Sequence, residues 1–414
     1  MKKIILISVL LLTGCAASYT SKLDSIQTDF SNGHFEESAK KFANDKSIED
    51  QNNLELLISG IALFHDNKFA ESDKAFEEFN KRNLDETGSS FSREASGLIF
   101  GQTVNSYKPY MMDSLFVSYY QLWDLLAMGD MSNARVVINQ SYNRQQNMSR
   151  EYKKLIQDNK KELAENPNVK KALNENNGDW AAFTDIMNPA LMYLSGIYFL
   201  NNGDFQTAET YLKRANGMMP NNNFIKQDLQ FAQQRKKPNN ITWEFAESGF
   251  APRLYENMIS IYVPLAGISY FPTSEPSLGQ NAYKPKSFEL LANVDSMFMT
   301  EYNEYKINEL LRAYTSAVAK TALQAAAYHS NNNNAMLLGV TSTIFSAITS
   351  DAEVRTWAAL PKYIYVNRVD RKTTNLNTSD FDDNMVKKIY NTNNNLIYMR
   401  YNVDLTDIKV IDLK

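Results

Sequence analysis

Cysteine and histidine are almost missing from this chain: one cysteine and three histidines stand in 414 residues. A lone Cys15 excludes an intrachain disulfide framework and a cysteine-based zinc site. His34, His65 and His329 lie far apart, so no ligand pair of the H-E-x-x-H kind exists. No G-x-S-x-G elbow, Walker loop or G-x-G-x-x-G run occurs. Cationic excess is missing too: Lys plus Arg is 43 against 47 for Asp plus Glu, a net charge of -4. Phosphate binding needs clustered excess cation, so a generally basic nucleic-acid protein is excluded. Proline is scarce between residues 19 and 235, which leaves long helices uninterrupted. With 43% hydrophobic and 22% charged residues, the chain has the composition of a globular protein large enough for two or three domains.

The amino-terminal residues speak about location. Lys2 and Lys3 precede an apolar run over 4–12 and then Thr13-Gly14-Cys15. A basic start, an apolar stretch too short for the ~20 residues that span a bilayer, and small residues before a cleavage point describe a secretory signal. The ending Leu12-Thr13-Gly14-Cys15 resembles the lipobox of bacterial lipoproteins. That resemblance implies a signal peptide over 1–14 and acylation of Cys15, which becomes the mature amino terminus. More than one acyl chain, at ~0.8 kcal/mol per buried CH₂, gives a stable anchor. Ala16 in place of Asp after the cysteine points, by analogy with enterobacterial sorting, to the outer membrane facing the periplasm, with the cell surface as the alternative.

From residue 19 to about 235 apolar positions recur at i, i+3, i+4 and i+7, the pattern of consecutive amphipathic helices. Residues 189–222 resemble a tetratricopeptide (TPR) repeat: Gly196 as the small contact of the first helix, Phe199 as its knob, Asn202-Gly203-Asp204-Phe205 as the turn, Ala208 and Ala215 on the second helix, Pro220 as the stop. Weaker copies fit 19–52, with Gly33 at the turn, 53–86, with Gly60, Phe69 and Phe76, and 115–148, with Gly129-Asp130 at the turn. Residues 149–180 read as an exposed polar hairpin broken at Asn166-Pro167. After Pro238 the period changes to strand alternation at 241–245, 258–263, 267–271, 363–366, 396–401 and 408–411, with a further strand within 287–298. Helices over 301–329 and 335–349 interrupt it. The expected fold is α+β: a TPR-like α-helical solenoid over 15–238, then a β-rich domain over 239–414 with an embedded apolar helix pair at about 301–349.

The segment Trp357-Ala358-Ala359-Leu360-Pro361 after the apolar helix pair, with Gly249-Phe250-Ala251-Pro252 and Leu126-Ala127-Met128-Gly129-Asp130, resembles an uncharacterised family of proteobacterial TPR-containing lipoproteins. The resemblance covers nearly the whole mature chain. It implies an envelope lipoprotein and carries over no activity.

The functional expectation is a lipid-anchored scaffold that binds a protein or peptide partner, without catalysis, metal, cofactor or nucleic acid. TPR proteins hold ligands on the first helices of their repeats. That selects Tyr193, Ile197 and Asn201, then Tyr119, Trp123 and Ala127, then Leu57, Ile61 and His65. Of these, Tyr119, Trp123, Tyr193 and Ile197 are the expected partner-binding residues: apolar, aromatic and suited to an amphipathic helix, because aromatic anchors carry much of an interface's energy. Burial of the same residues against neighbouring helices or the C-terminal part is the competing expectation. A peptidoglycan-acting hydrolase is the alternative function, with Glu247 or Glu289 as candidate carboxylates, since a catalytic acid needs an apolar setting to raise its pKa. A surface lipoprotein contacting other cells is the third.

Overall fold

The computed structural model describes residues 21–83, 107–176, 187–279, 282–329, 354–402 and 404–413. Signal segment 1–14, Cys15 and the expected helix 335–349 lie outside them. The described part is α+β. The helices begin with α1 (21–31), α2 (Phe35–Ala43), α3 (Asn53–His65) and α4 (Phe69–Asn83). There follow α5 (Met111–Met128), α6 (Met131–Glu165), α7 (Pro167–Asn176), α8 (Pro189–Asn201), α9 (Phe205–Met218) and α10 (Asn223–Gln233). Strands come next: β1 (Ile241–Ser248), β2 (Arg253–Val263), β3 (Gly267–Ser277) and β4 (Glu289–Asn293). The long α11 (Val294–His329), β5 (Tyr363–Asp370), α12 (Asp383–Asn391), β6 (Asn394–Tyr401) and β7 (Leu405–Leu413) complete the order.

The helix hairpins share one local cause. At Gly33, Asn67, Gly129 and Gly203 the backbone turns left-handed, with φ of 74, 62, 73 and 77°. Each time the next amide reaches back to a carbonyl one turn inside the helix: His34 to Asp29, Lys68 to Leu63, Asp130 to Leu125, Asp204 to Phe199. This bond pattern ends a helix and satisfies its last carbonyls, and it requires a residue that tolerates positive φ. The three turns read from the sequence, and the one at Asn67, are therefore the same turn. Close helix approach follows from the small residues: a Cβ on Gly60 would lie 2.5 Å from the Phe76 ring, and one on Gly196 would lie 2.7 Å from Leu212.

The segment expected as an exposed hairpin is corrected. Asn166-Pro167 does break the helix, because proline cannot continue it. Yet α6 and α7 are packed against α11: Tyr152 donates to the Thr300 carbonyl at 2.9 Å, and Val169 and Leu173 are buried with Leu310 and Leu311.

Strands β4-β5-β1-β6-β7 form one five-stranded sheet, with β1 and β6 parallel and the other pairs antiparallel. Strands β2 and β3 form a separate two-stranded hairpin. One face of the large sheet lies on the helices, and β1 and β6 are buried on both faces, the usual state of central strands. The helix-facing rows are in register: Trp243 beside Leu396, Phe245 beside Tyr398, Glu247 beside Arg400. One continuous apolar core runs from α1 through the hairpins to this sheet face, so helices and strands share it across residue 238.

Candidate functional site: a polar cleft between helices

The expected partner-binding residues do not form an open groove. Tyr119, Trp123, Tyr193 and Ile197 are all fully buried. The sheet covers Trp123 and Tyr193: the Trp123 ring stands 5.3 Å from Phe245 and 5.4 Å from Tyr398, and Tyr193 stands 5.9 Å from Phe245. The Tyr193 hydroxyl donates to Asp228 at 2.6 Å, within its own helical array. Leu57, Ile61, His65 and Asn201 are buried as well, and Ala127 is half-buried. The physical reason is area: a strip of aromatic rings left open costs about 25 cal/mol per Å², and the chain's own sheet removes that cost.

Buried charges fix how the two layers meet. Glu247 accepts from Arg400 at 2.9 Å, from Tyr120 at 2.9 Å and from Tyr398 at 2.6 Å. Arg400 also donates to the carbonyls of Gly249 at 2.8 Å and Ala359 at 3.3 Å. Two of the three short segments quoted for the family resemblance thus converge on one guanidinium. Asp228 on α10 takes Arg368 at 2.7 Å and the Trp243 indole at 2.7 Å. His65 places Nδ1 2.9 Å from Asp407 of β7, beside Lys409. Burial lowers the His65 pKa to about 4, against the pull of Asp407, and keeps the ring neutral. Glu247–Arg400 and Asp228–Arg368 are buried ion pairs, whose best-attested use is to specify register.

These bonds decide what the candidate carboxylates can do. Burial raises the Glu247 pKa and Arg400 opposes it, but the group is sealed in the core and touches no open space. Glu289 accepts from the Asn223 side chain at 2.9 Å and from its backbone amide, which caps α10 from β4. Both make bonds that hold elements of the fold together.

An open site lies elsewhere, between α4, α5 and α6. There a cleft of about 600 Å³ has a floor of linked polar side chains. Arg144 donates to Ser118 at 3.1 Å and to the Asn80 side-chain oxygen at 3.4 Å. Asn80 donates to Gln121 at 2.8 Å, and Gln121 donates to Asp73 at 2.9 Å. A cation stands at one end of this chain and a carboxylate at the other, joined by amides oriented head to tail. Among the described residues neither end has an opposite charge as partner. Burial lowers the Arg144 pKa to about 10. Burial raises Asp73 to about 6, helped by Glu77 and Asp130 and opposed by Gln121.

Sequence reasoning missed Asp73, Asn80, Gln121 and Arg144. The available signal was Gln121 itself, a polar residue inside the apolar run of α5. Among the described residues no three His, Cys, Asp or Glu side chains are grouped to hold a metal, and no helix is long and apolar enough to cross a membrane. No known protein family, no curated protein and no solved structure matches this chain.

Proposed function

We propose that this protein is a lipid-anchored scaffold of the bacterial cell envelope, held through Cys15. In this reading its TPR-like helical half binds a polar, charge-bearing segment of a partner protein in the cleft floored by Asp73, Asn80, Gln121 and Arg144. The observation that carries the reading is the pair of uncompensated charges at the two ends of an amide-lined, open cleft. A charge of either sign held partly out of water without a partner is costly, and a ligand of opposite charge recovers that cost. The amides of Asn80 and Gln121 supply donors and acceptors for a peptide backbone, and neutral amides discriminate little among side chains. An apolar helix as ligand, expected from the aromatic positions, gives way to a polar segment. The lipobox and the resemblance to TPR-containing envelope lipoproteins support the location.

The test is site-specific photo-crosslinking in cells. A crosslinker at Val136, on the cleft wall, should capture a discrete partner; one at Lys213, on the far hairpin, should not. Arg144→Ala and Asp73→Asn should each remove the Val136 product while melting within a few degrees of the parent. Equal capture from both positions, or capture unaffected by both substitutions, would refute the cleft.

A further inference from the structure

The β2–β3 hairpin is apolar on both faces. Ile259, Ile261, Val263 and Phe271 face inward onto Val169, Leu173, Leu310 and Leu311. On the outer face Tyr262 pairs with Ile268 and Ser260 with Tyr270, and here Tyr262, Ile268 and Tyr270 are exposed. A hairpin with one face in water normally alternates polar residues outward. At the tip, Leu265 is 75% exposed and has φ of 70°. A branched aliphatic residue in that left-handed conformation costs roughly 1–2 kcal/mol, where glycine or asparagine would cost little. The tip touches α11, since Thr321 donates to the Pro264 carbonyl at 3.4 Å. Large apolar side chains from both strands and the turn therefore gather at one end, a patch that marks an interaction surface.

Charge along the hairpin is graded. Arg253, Glu256 and Glu275 lie at its base, where Arg253 pairs with Asp24 and Lys306 with Glu275 at 2.6 Å. Residues 257–274 contain no charged side chain. From base to tip the outer face passes from Glu256 through Met258 and Tyr270 to Tyr262, level with Ile268, and ends at Leu265. A bilayer surface likewise passes from water through headgroups to acyl chains, matching a charged base and an uncharged apolar end, and tyrosine prefers its middle layer.

We propose that this tip, Tyr262, Leu265, Ile268 and Tyr270, inserts into the interfacial layer of a lipid bilayer. Insertion of ~5–10 Å takes in the turn and the outermost two or three residues of each strand. At that depth the free strand edges still meet water and headgroups, so no backbone group is stranded in hydrocarbon. The contact is separate from any acyl anchor at Cys15 and would fix the orientation of the cleft relative to the membrane.

Because Cys15 is the single cysteine, the full chain carrying Cys15→Ser and Leu265→Cys takes one environment-sensitive fluorophore, at the tip. Uncharged phosphatidylcholine vesicles should shift its emission to the blue, and a nitroxide on the lipid near the headgroup should quench it. The same dye in Cys15→Ser/Lys213→Cys should respond to neither. Adding Ile268→Asp should abolish the tip response. On the unmodified chain, vesicles should slow amide hydrogen exchange over 262–270. A tip dye that stays unshifted at saturating lipid, with unchanged exchange, overturns the proposal. So does a shift that needs no lipid and grows with protein concentration, which would assign the patch to a second copy. Neither fluorophore chain carries a thiol at position 15, so failure of insertion is distinguishable from failure of the lipid-anchor reading.

Discussion

Arg400→Met isolates a buried ion pair of the sheet, on the face that packs against the helices. Methionine fills much of the volume but removes all the donors. Glu247 would keep only the Tyr120 and Tyr398 hydroxyls, at 2.9 and 2.6 Å, with no cation in contact. The carbonyls of Gly249 and Ala359 and the Asn402 side-chain oxygen would each lose a donor. Breaking a buried pair on one side costs about 3–5 kcal/mol, because a charge is left uncompensated in a medium of low dielectric. That cost has a pH signature. Burial already raises the Glu247 pKa in the folded state, and Arg400 is the largest influence holding it down. Without Arg400 the folded state binds its proton more tightly than the unfolded state does. Stability of the variant relative to the parent therefore falls as pH rises from the unfolded carboxylate value upward. Urea unfolding followed by circular dichroism at pH 5 and pH 8 measures this difference, and taking it against the parent cancels the other titrating groups. The loss should be smaller at pH 5. Glu247→Gln added to Arg400→Met should recover about 1–3 kcal/mol at pH 8, since the charge needing a partner is gone. A loss under ~1 kcal/mol, or a loss equal at both pH values and not relieved by Glu247→Gln, would refute the reasoning.

Three further outcomes follow from the packing. Trp123→Ala and Tyr193→Ala should each destabilise by about 3–5 kcal/mol in thermal or urea unfolding, because both rings are buried between helices and sheet; a near-parental melt with loss of a partner would restore the open-groove expectation. Gly60→Ala gains about 1 kcal/mol of helix propensity but sets a Cβ 2.5 Å from a Phe76 ring held by Tyr120 and Trp357. Overpacking at about 1–3 kcal/mol wins, so the variant should unfold earlier than the parent and Phe76→Leu should relieve it. Glu301 accepts the amides of Met111 and Met112 at the start of α5, and burial raises its pKa from 4.5 to about 8. Its folded state holds the extra proton, so its contribution is complete below about pH 4.5 and is lost as pH rises through 8. Melting temperature should drop between pH 6 and 8.5, and Glu301→Gln should flatten that drop.

What the sequence determined by itself is local. The left-handed turns at Gly33, Asn67, Gly129 and Gly203, the stop at Asn166-Pro167, the small contacts Gly60 and Gly196, and the start of β1 after Pro238 are set by residues within a few positions of one another. Each is a matter of which backbone angles a residue tolerates or which face repeats. Short α12 was missed although Asp382 caps it, because nine residues give too few turns for a period to stand out. The separation of the hairpin β2–β3 from the main sheet was also illegible, since alternation names a strand but not its neighbour. Tertiary structure alone decided what covers each apolar face. Trp123 and Tyr193 present the same pattern whether a foreign helix or the chain's own Phe245 and Tyr398 lies on them. Only the folded register, set by Glu247–Arg400 and Asp228–Arg368, brings the second outcome about. By closing that surface the sheet left the amide-lined cleft of Asp73 and Arg144 open, between side chains 71 positions apart in the sequence, because contact across that separation is created by packing and has no local signal.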